Sequence, residues 1–262
     1  RLSLVGSEMC IRDSLCAVIG QQQQHFVAAA GGIGRFAAFQ PLHEEILAAC
    51  DGDWQAVPGR SVCVLPAGEA TVQLKPNVRA ALLASSRPDL AQDGIANAAD
   101  YAAPDPRIVA GDSGYRRMRG NGELQVIAID AIRPPADKPR LKMLQTETLS
   151  INWVEYQGAR DRSSLSPHSH ADFEQGSLAI DGHFIHHLRV QWGPNADQWR
   201  DDQHLQAGPA SMMTIPVQMI HTTEGVGPGR HLLIDVFSPP RQDFIGKGWA
   251  VSYTHLTLPT KA

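Results

Sequence analysis

The second half of the chain, from residue 123 onward, alternates short apolar and β-branched runs with turn residues. This pattern predicts strands at residues 124–129, 141–144, 149–156, 177–180, 184–190, 211–215 and 231–237. Asp181-Gly182 stands between two of these runs and predicts a tight β-hairpin. Many short strands with intervening turns are typical of a β-sandwich or barrel, and they exclude a doubly wound α/β domain here.

The first half has a different pattern, which predicts a mixed α/β extension over residues 15–122. Residues 36–50 and 76–85 have apolar positions at helical spacing, and Pro41 suits a first helical turn. Residues 61–65 form a short apolar run typical of a strand. We therefore expect a partly helical extension packed outside a barrel of residues 123–249.

The two ends of the chain resemble translated sequencing-adaptor read-through. They are residues 1–14 and residues 250–262. We expect both segments to lie outside the natural fold, as tags and fusion scars do.

Composition and charge narrow the classes of function. The chain has 262 residues, is 43% hydrophobic and 19% charged, and carries a formal net charge of −4 with no basic run. This argues against a nucleic-acid or anionic-membrane partner. No apolar stretch reaches membrane-spanning length. Outside the ends, Cys16, Cys50 and Cys63 are odd in number and lack metal-site spacing, so we expect reduced thiols and a cytoplasmic protein.

The candidate chemistry begins with His168-Ser169-His170. Two histidines at i and i+2 of an extended segment point to one side and can bind the same ion. A neighbouring Glu or Gln and the later His221 would complete a site with nitrogen and oxygen ligands, suited to a borderline divalent metal.

These residues resemble the two-part signature of the cupin superfamily. The first part is His168-x-His170 followed by Gln175 and, after six intervening residues, Gly182; the second is Pro216 with His221 five positions later. The resemblance covers residues 146–244 and implies a double-stranded β-helix, or jelly-roll barrel. It also implies one bound divalent metal ion (Fe, Mn, Ni or Zn).

The oxygen ligand has two candidates. Three residues between His170 and the ligand give Glu174, and four give Gln175. The spacing to Gly182 favours Gln175, a neutral ligand, whereas Glu174 would make the site more negative.

The end of the barrel segment, Asp235-Val236-Phe237-Ser238-Pro239-Pro240-Arg241, resembles the small cupins that act on unsaturated uronates in pectin and alginate breakdown. That resemblance implies Asp235 as the acid–base group, Phe237 as its aromatic partner and Arg241 as the anchor for a substrate carboxylate. The chemistry is coherent, because an arginine can hold a carboxylate through two parallel hydrogen bonds.

Two further residues are candidate substrate contacts. His183 lies on a strand crowded with histidines, and Trp192 flanks a loop at 193–208 that could cover the metal. Loops on rigid barrels often carry function.

Three functional classes fit this pattern. The first is a metal-dependent lyase or isomerase acting on a small acidic molecule such as an unsaturated uronate. The second is a non-haem iron dioxygenase, and the third is a barrel that binds a small molecule without turnover. We retain a homodimer as the candidate assembly.

Overall fold

The computed structural model describes residues 53–65, 103, 105–108, 124–146, 149–237 and 240–247, and the backbone of further strands on either side. In this part of the chain the secondary structure is almost entirely β, and nearly every strand pairing is antiparallel. The longest helix described is α1 at Gln242–Gly246. The predicted mainly β jelly-roll class is confirmed.

In the part that the structure describes, the N-terminal half contributes ten strands. They are β1 (Leu4–Gly6), β2 (Glu8–Ile11), β3 (Leu15–Gly20), β4 (His25–Ala28), β5 (Arg35–Gln40), β6 (Ile46–Cys50), β7 (Asp53–Val57), β8 (Ser61–Leu65), β9 (Ala70–Gln73) and β10 (Ala80–Ser85). The C-terminal half contributes ten more. They are β11 (Gln125–Ala128), β12 (Leu141–Gln145), β13 (Ser150–Gln157), β14 (Gln175–Asp181), β15 (His183–Arg189), β16 (Gln203–Ala207), β17 (Ser211–Ile215), β18 (Ile220–Val226), β19 (Arg230–Phe237) and β20 (Val251–Ser252).

The C-terminal barrel is built from two facing sheets. A seven-stranded sheet has the order β1-β17-β14-β19-β13-β12-β20, and a three-stranded sheet has the order β16-β15-β18. The strands predicted at 141–144, 149–156, 177–180, 184–190, 211–215 and 231–237 are present, whereas β16 and β18 were not predicted. β11 instead pairs with β8, so it belongs to an N-terminal sheet.

The predicted hairpin at Asp181-Gly182 is wrong, since β14 and β15 lie in different sheets. Gly182 is the corner at which the chain crosses between them. Its φ is +86°, and a Cβ would lie 2.7 Å from the carbonyl oxygen of Arg230. Only glycine meets both demands without strain.

The predicted helices of the N-terminal half are also wrong. The segment 36–50 contains β5 and β6, and the segment 76–85 contains β10. β5 pairs with both β8 and β10 in a six-stranded sheet of order β11-β8-β5-β10-β3-β2, and β6 lies in a four-stranded sheet of order β4-β9-β6-β7. Alanine-rich sequences suit helices in isolation, but pairing on both sides of a strand overrides that preference.

Both ends of the chain contribute strands to the seven-stranded sheet. β1 pairs with β17, and β20 pairs in parallel with β12. The expectation that residues 1–14 and 250–262 derive from adaptor read-through stays a prediction.

The largest apolar cluster lies between the six-stranded and seven-stranded sheets. It includes Val62 and Val64 from β8, and Ile151 and Trp153 from β13, all buried. Alternate residues of β13, β14 and β19 face this cluster, and the residues between them face the barrel interior. The seven-stranded sheet is therefore buried on both sides.

An ion network crosses the same boundary. Arg60 donates hydrogen bonds to Asp130 at 2.8 and 2.9 Å and to Glu155 at 2.8 and 2.9 Å. The indole Nε1 of Trp153 donates to Glu155 at 3.0 Å. The network fixes the end of β8 against β13.

No helix in the described part of the chain is long and apolar enough to cross a membrane.

Replacing Trp153 by Ala tests the packing between the two large sheets. Trp153 is 1% exposed, so we expect the loss of about 3–5 kcal/mol of unfolding free energy typical of a large-to-small core change. Urea unfolding followed by circular dichroism measures this loss. Trp54→Ala is the control, because Trp54 is 50% exposed and should change stability by less than about 0.5 kcal/mol. Equal losses in the two variants would contradict the packing described here.

Candidate metal centre

Three histidines converge at the barrel interior. The backbone of His168 forms an isolated antiparallel bridge with His221, with N–O distances of 3.0 and 2.8 Å. The carbonyl of His170 accepts a hydrogen bond from the Gln218 backbone N–H at 2.6 Å. One ligand atom from each histidine lies within 4.8 Å of the others. His168, His170 and His221 therefore form a triad that could hold a metal ion.

Backbone carbonyls set the tautomers of two of these rings. Nδ1 of His168 lies 2.9 Å from the carbonyl of Ser166, and Nδ1 of His221 lies 3.0 Å from the carbonyl of Met219. A carbonyl oxygen can only accept, so each Nδ1 carries the proton and, in the neutral ring, each Nε2 keeps its lone pair. Metal-binding histidines are oriented in this way by their second nitrogen.

Gln175 aims an oxygen at the same point. Its Oε1 lies 2.9 Å from Nε2 of His170 and 3.2 Å from Nε2 of His221. Its amide nitrogen donates to Oγ of Ser177 at 2.9 Å, which fixes the orientation of the amide. Oε1 of Gln175 thus faces the lone pair on Nε2 of His221, so two hydrogen-bond acceptors lie against each other. A cation between these atoms would relieve that repulsion, so the residues present fit a divalent metal with nitrogen and oxygen ligands.

Glu174 is buried but points elsewhere. It is 6% exposed, yet its carboxylate is absent from the histidine cluster in the described chain. The pKa of Arg107 is raised mainly by its hydrogen bond to Asp105, with a smaller contribution from the charge of Glu174. The geometry therefore favours Gln175 over Glu174 as the fourth ligand.

Burial keeps two rings of the triad neutral at pH 7. It lowers the pKa of His170 to about 3 and that of His221 to about 4. A neutral imidazole is the form that binds a metal.

A hydrogen-bond chain joins Gln175 to Asp235. Oγ of Ser177 accepts from the Gln175 amide and donates to Oδ1 of Asp235 at 2.5 Å. Burial raises the pKa of Asp235 to about 6, against the opposing effect of the Ser177 hydrogen bond. Asp235 thus sits beside the histidines with its pKa close to neutrality.

The rings of Phe237 and Phe244 and the Arg241 guanidinium form a cluster beside His170. The ring of Phe237 meets His170 edge-on at 5.5 Å. The Arg241 guanidinium lies 3.6 Å from the ring centre of Phe244 and 4.9 Å from that of Phe237. Nε and Nη2 of Arg241 donate to Asp243 at 3.0 and 2.6 Å, so one edge of the guanidinium is already engaged.

These groups line one cavity of about 610 Å³ between the two sheets of the barrel. Its walls include the triad, Gln175, Asp235, Phe237 and Arg241. His183 and Trp192 are not among its lining residues. His183 is exposed at the start of β15. Trp192 is 73% exposed and stacks on Trp199 at 4.7 Å, and β16 occupies part of the loop predicted as a lid. The structure therefore does not bring these two residues to the site.

Three lining or linking residues were not anticipated. Ser177 follows Gln175 by two positions on β14, and Asn152 and Tyr156 lie at alternate positions of β13. The signal was present, because a polar residue between buried Ile151 and Trp153 must face the opposite side of a strand.

No protein-family model matches the sequence, and no curated protein matches it. Solved structures are similar over most of the chain. AerE from Microcystis aeruginosa has a TM-score of 0.56 at 7% identity, covering 90% of this chain and 92% of that protein. Oxalate decarboxylase from Lactobacillus farciminis, in a formate complex, has a TM-score of 0.53 at 14% identity, covering 91% and 86%.

Protein Ylba from E. coli has a TM-score of 0.54 at 11% identity, covering 86% of this chain and 76% of that protein. The fold is that of the cupins. Because the similarity spans most of the chain, it includes the N-terminal sheets as well as the C-terminal barrel.

Removing one histidine tests the metal centre. His170→Ala should weaken binding by more than the roughly 10- to 100-fold typical of losing an outer-shell partner. The measurement is metal content by mass spectrometry after dialysis against Mn²⁺, Fe²⁺, Ni²⁺ or Zn²⁺. His183→Ala is the matched control and should keep the wild-type stoichiometry. Full occupancy in His170→Ala would exclude the site.

Acid should destabilise the metal-free protein through the same rings. The pKa values of about 3 and 4 for His170 and His221 lie below the ordinary 6.5, so their contribution is complete above pH 6.5 and is lost as pH falls towards 4. For each ring, the free energy of unfolding should fall by up to about 2 kcal/mol between pH 7 and pH 5. Asp235 has the opposite effect. Because its pKa is raised, its contribution to the free energy of unfolding is lost as pH rises through about 6.

A His170→Gln variant separates these effects, because it lacks one titrating ring and keeps Asp235. Urea unfolding at pH 7 and pH 5 should show a smaller acid loss in this variant than in the wild type. Identical pH dependence in the two proteins would mean that His170 is not held neutral by burial.

Proposed function

We propose that this protein is a metal-dependent cupin enzyme with lyase or isomerase chemistry on a small polar acid, such as an unsaturated uronate. The observation that carries the proposal is the convergence of the histidine triad, Gln175 and Asp235 on one cavity. A metal ion would be held by His168, His170, His221 and Gln175. When bound, it would supply a Lewis acid that polarises a substrate oxygen.

Asp235 is the proposed proton-transfer group. It lies on β19 and faces the cavity, while its neighbours Ile234 and Val236 face the apolar cluster. Ser177 holds Oδ1 by a short hydrogen bond, which orients the carboxyl group for exchanging a proton with the substrate. A carboxyl group whose pKa lies close to the working pH can both take and return a proton.

Arg241 is the proposed anchor for an acidic group. Its pair with Asp243 and its stacking against Phe244 hold the guanidinium rigidly at the cavity wall. The Asp243 pair occupies Nε and Nη2, so a substrate carboxylate would meet the Nη1 side. Phe237 shapes the wall between this arginine and His170.

The oxalate decarboxylases among the similar structures are lyases of a small acid, which agrees with the proposed class of substrate. An iron dioxygenase and a binding protein without turnover use the same cavity differently. Oxygen uptake that depends on Fe²⁺ would identify the dioxygenase, and tight ligand binding without product would identify the binding protein.

Asp235→Asn tests the mechanism. With the metal restored and an unsaturated uronate as substrate, we expect turnover to fall about 10²–10⁴-fold, while metal content stays unchanged. The loss of the uronate double bond, followed by absorbance, gives the rate. Asp172→Asn is the control, since Asp172 is exposed next to the histidine motif and carries the same charge. Equal rates for wild type and Asp235→Asn would contradict the proposed role of Asp235 in proton transfer.

A further inference from the structure

A second group of histidines lies on the outer face of the three-stranded sheet. His187 on β15 and His204 on β16 are direct cross-strand partners, and their Nδ1 atoms are 2.7 Å apart. Side chains alternate along a strand, so His187 faces away from the side of its buried neighbour His186. Neither His187 nor His204 lines the cavity of the histidine triad. These two residues, the outer histidine pair, are therefore separate from the candidate metal centre.

A buried carboxylate fixes the proton on one ring of the outer histidine pair. Oε2 of Glu224 lies 2.9 Å from Nε2 of His187, and the Glu224 side chain is only 4% exposed. Because an ionised carboxylate can only accept a hydrogen bond, Nε2 of His187 carries the proton, and in the neutral ring Nδ1 keeps its lone pair. That lone pair points at Nδ1 of His204. Carboxylates orient metal-binding histidines in this way.

The contact between the two Nδ1 atoms can hold a proton or a metal ion. In the neutral pair, the Nδ1–H of His204 donates to Nδ1 of His187. When the His204 proton is instead on Nε2, both Nδ1 lone pairs point at one position. A tetrahedral ion with metal–nitrogen distances of about 2.0–2.1 Å places two nitrogens roughly 3.3 Å apart, so the rings need to separate by about 0.6 Å. His204 is exposed, so its side chain can make this adjustment.

The two arginines beside the outer histidine pair both have acidic partners. Nη1 of Arg162 lies 3.4 Å from Oε1 of Glu224, and the Arg162 side chain is 73% exposed, so water screens its charge. Two residues from the pair along the chain, Nε of Arg189 donates to Oδ1 of Asp202 at 2.9 Å. The local charge is therefore close to neutral and does not exclude a cation.

An ion at this position would cross-link an edge strand. In the part of the sheet that the structure describes, β16 is the outermost strand and pairs with β15. Both histidines line an open pocket of about 540 Å³, which leaves room for an ion with its water ligands. An ion that binds the folded chain better than the unfolded chain raises the stability of the fold.

We propose that His187 and His204 bind a borderline divalent ion such as Zn²⁺, with Glu224 as the carboxylate that orients His187. Imidazole nitrogens suit this class of ion, and water completes its coordination. The ion fastens β16 to β15 and takes no part in the chemistry of the cavity. This site goes beyond the proposed function, because it shares no ligand with the triad.

Zinc titration tests the outer histidine pair in a background that lacks the triad. Calorimetry on chelator-treated His170→Ala should show one zinc ion per chain, and its melting temperature should rise when Zn²⁺ is added. Both effects should disappear in His170→Ala/His204→Gln, in which an exposed ligand has been removed. His170→Ala/His183→Gln is the matched control, because His183 is an exposed histidine on the same strand as His187, and it should keep the ion.

Glu224→Gln in the same background tests the orienting carboxylate, since it removes the charge and keeps the size of the side chain. Zinc affinity should fall about 10- to 100-fold, as is typical for the loss of an outer-shell partner. Circular dichroism of the metal-free variants confirms that they are folded.

Two results would overturn the proposal. One is the absence of zinc binding in His170→Ala. The other is equal zinc binding in His170→Ala and His170→Ala/His204→Gln, which would indicate an adventitious ion only. A failure of the triad gives a different result, because wild type would then bind a single zinc ion that His204→Gln alone removes.

Discussion

The structure depends on a sheet that is buried on both of its faces. On one face, Ile151 and Trp153 of β13 and Ile234 of β19 pack against the N-terminal sheet. On the other face, Asn152 and Asp235 look into the cavity, and the two are direct cross-strand partners. Because side chains alternate along a strand, a slip of one residue would drive the polar set into the apolar cluster. The packing between the two halves of the chain therefore also fixes the direction of the Asp235 carboxylate, the proposed proton-transfer group.

The candidate metal centre depends on a second constraint, the corner at Gly182. Since the chain leaves the seven-stranded sheet there, β15 and β18 can close over the cavity, and β18 brings His221 opposite His168. Gln175 is the first residue of β14 in the seven-stranded sheet, and its side chain reaches the histidines from that sheet. The ligands thus come from both sheets, and any loosening of the barrel would separate the histidines from the amide oxygen.

Sequence reasoning found the barrel and its triad because both depend on local patterns. Histidines two residues apart on an extended segment share a side, and turn residues mark the strand ends. It failed at the N-terminal half, where β5 and β10 are alanine-rich and only pairing with β8 and with each other makes them strands. It also failed for His183 and Trp192, because the side of the barrel on which a residue lies depends on strand register and on crossings such as Gly182. Neither property can be read from spacing alone.

The net charge of the chain and the local charge in the cavity predict different kinds of partner. A net charge of −4 is a sound reason to expect no nucleic-acid partner, since such binding depends on a broad positive surface. It says nothing about a cavity, where a few groups in a restricted volume set the local potential. Arg140, Arg160 and Arg241 come from different segments of the sequence, and the fold places all three at the wall of one cavity. The charge that a ligand meets is therefore decided by which side chains the fold brings to the cavity wall.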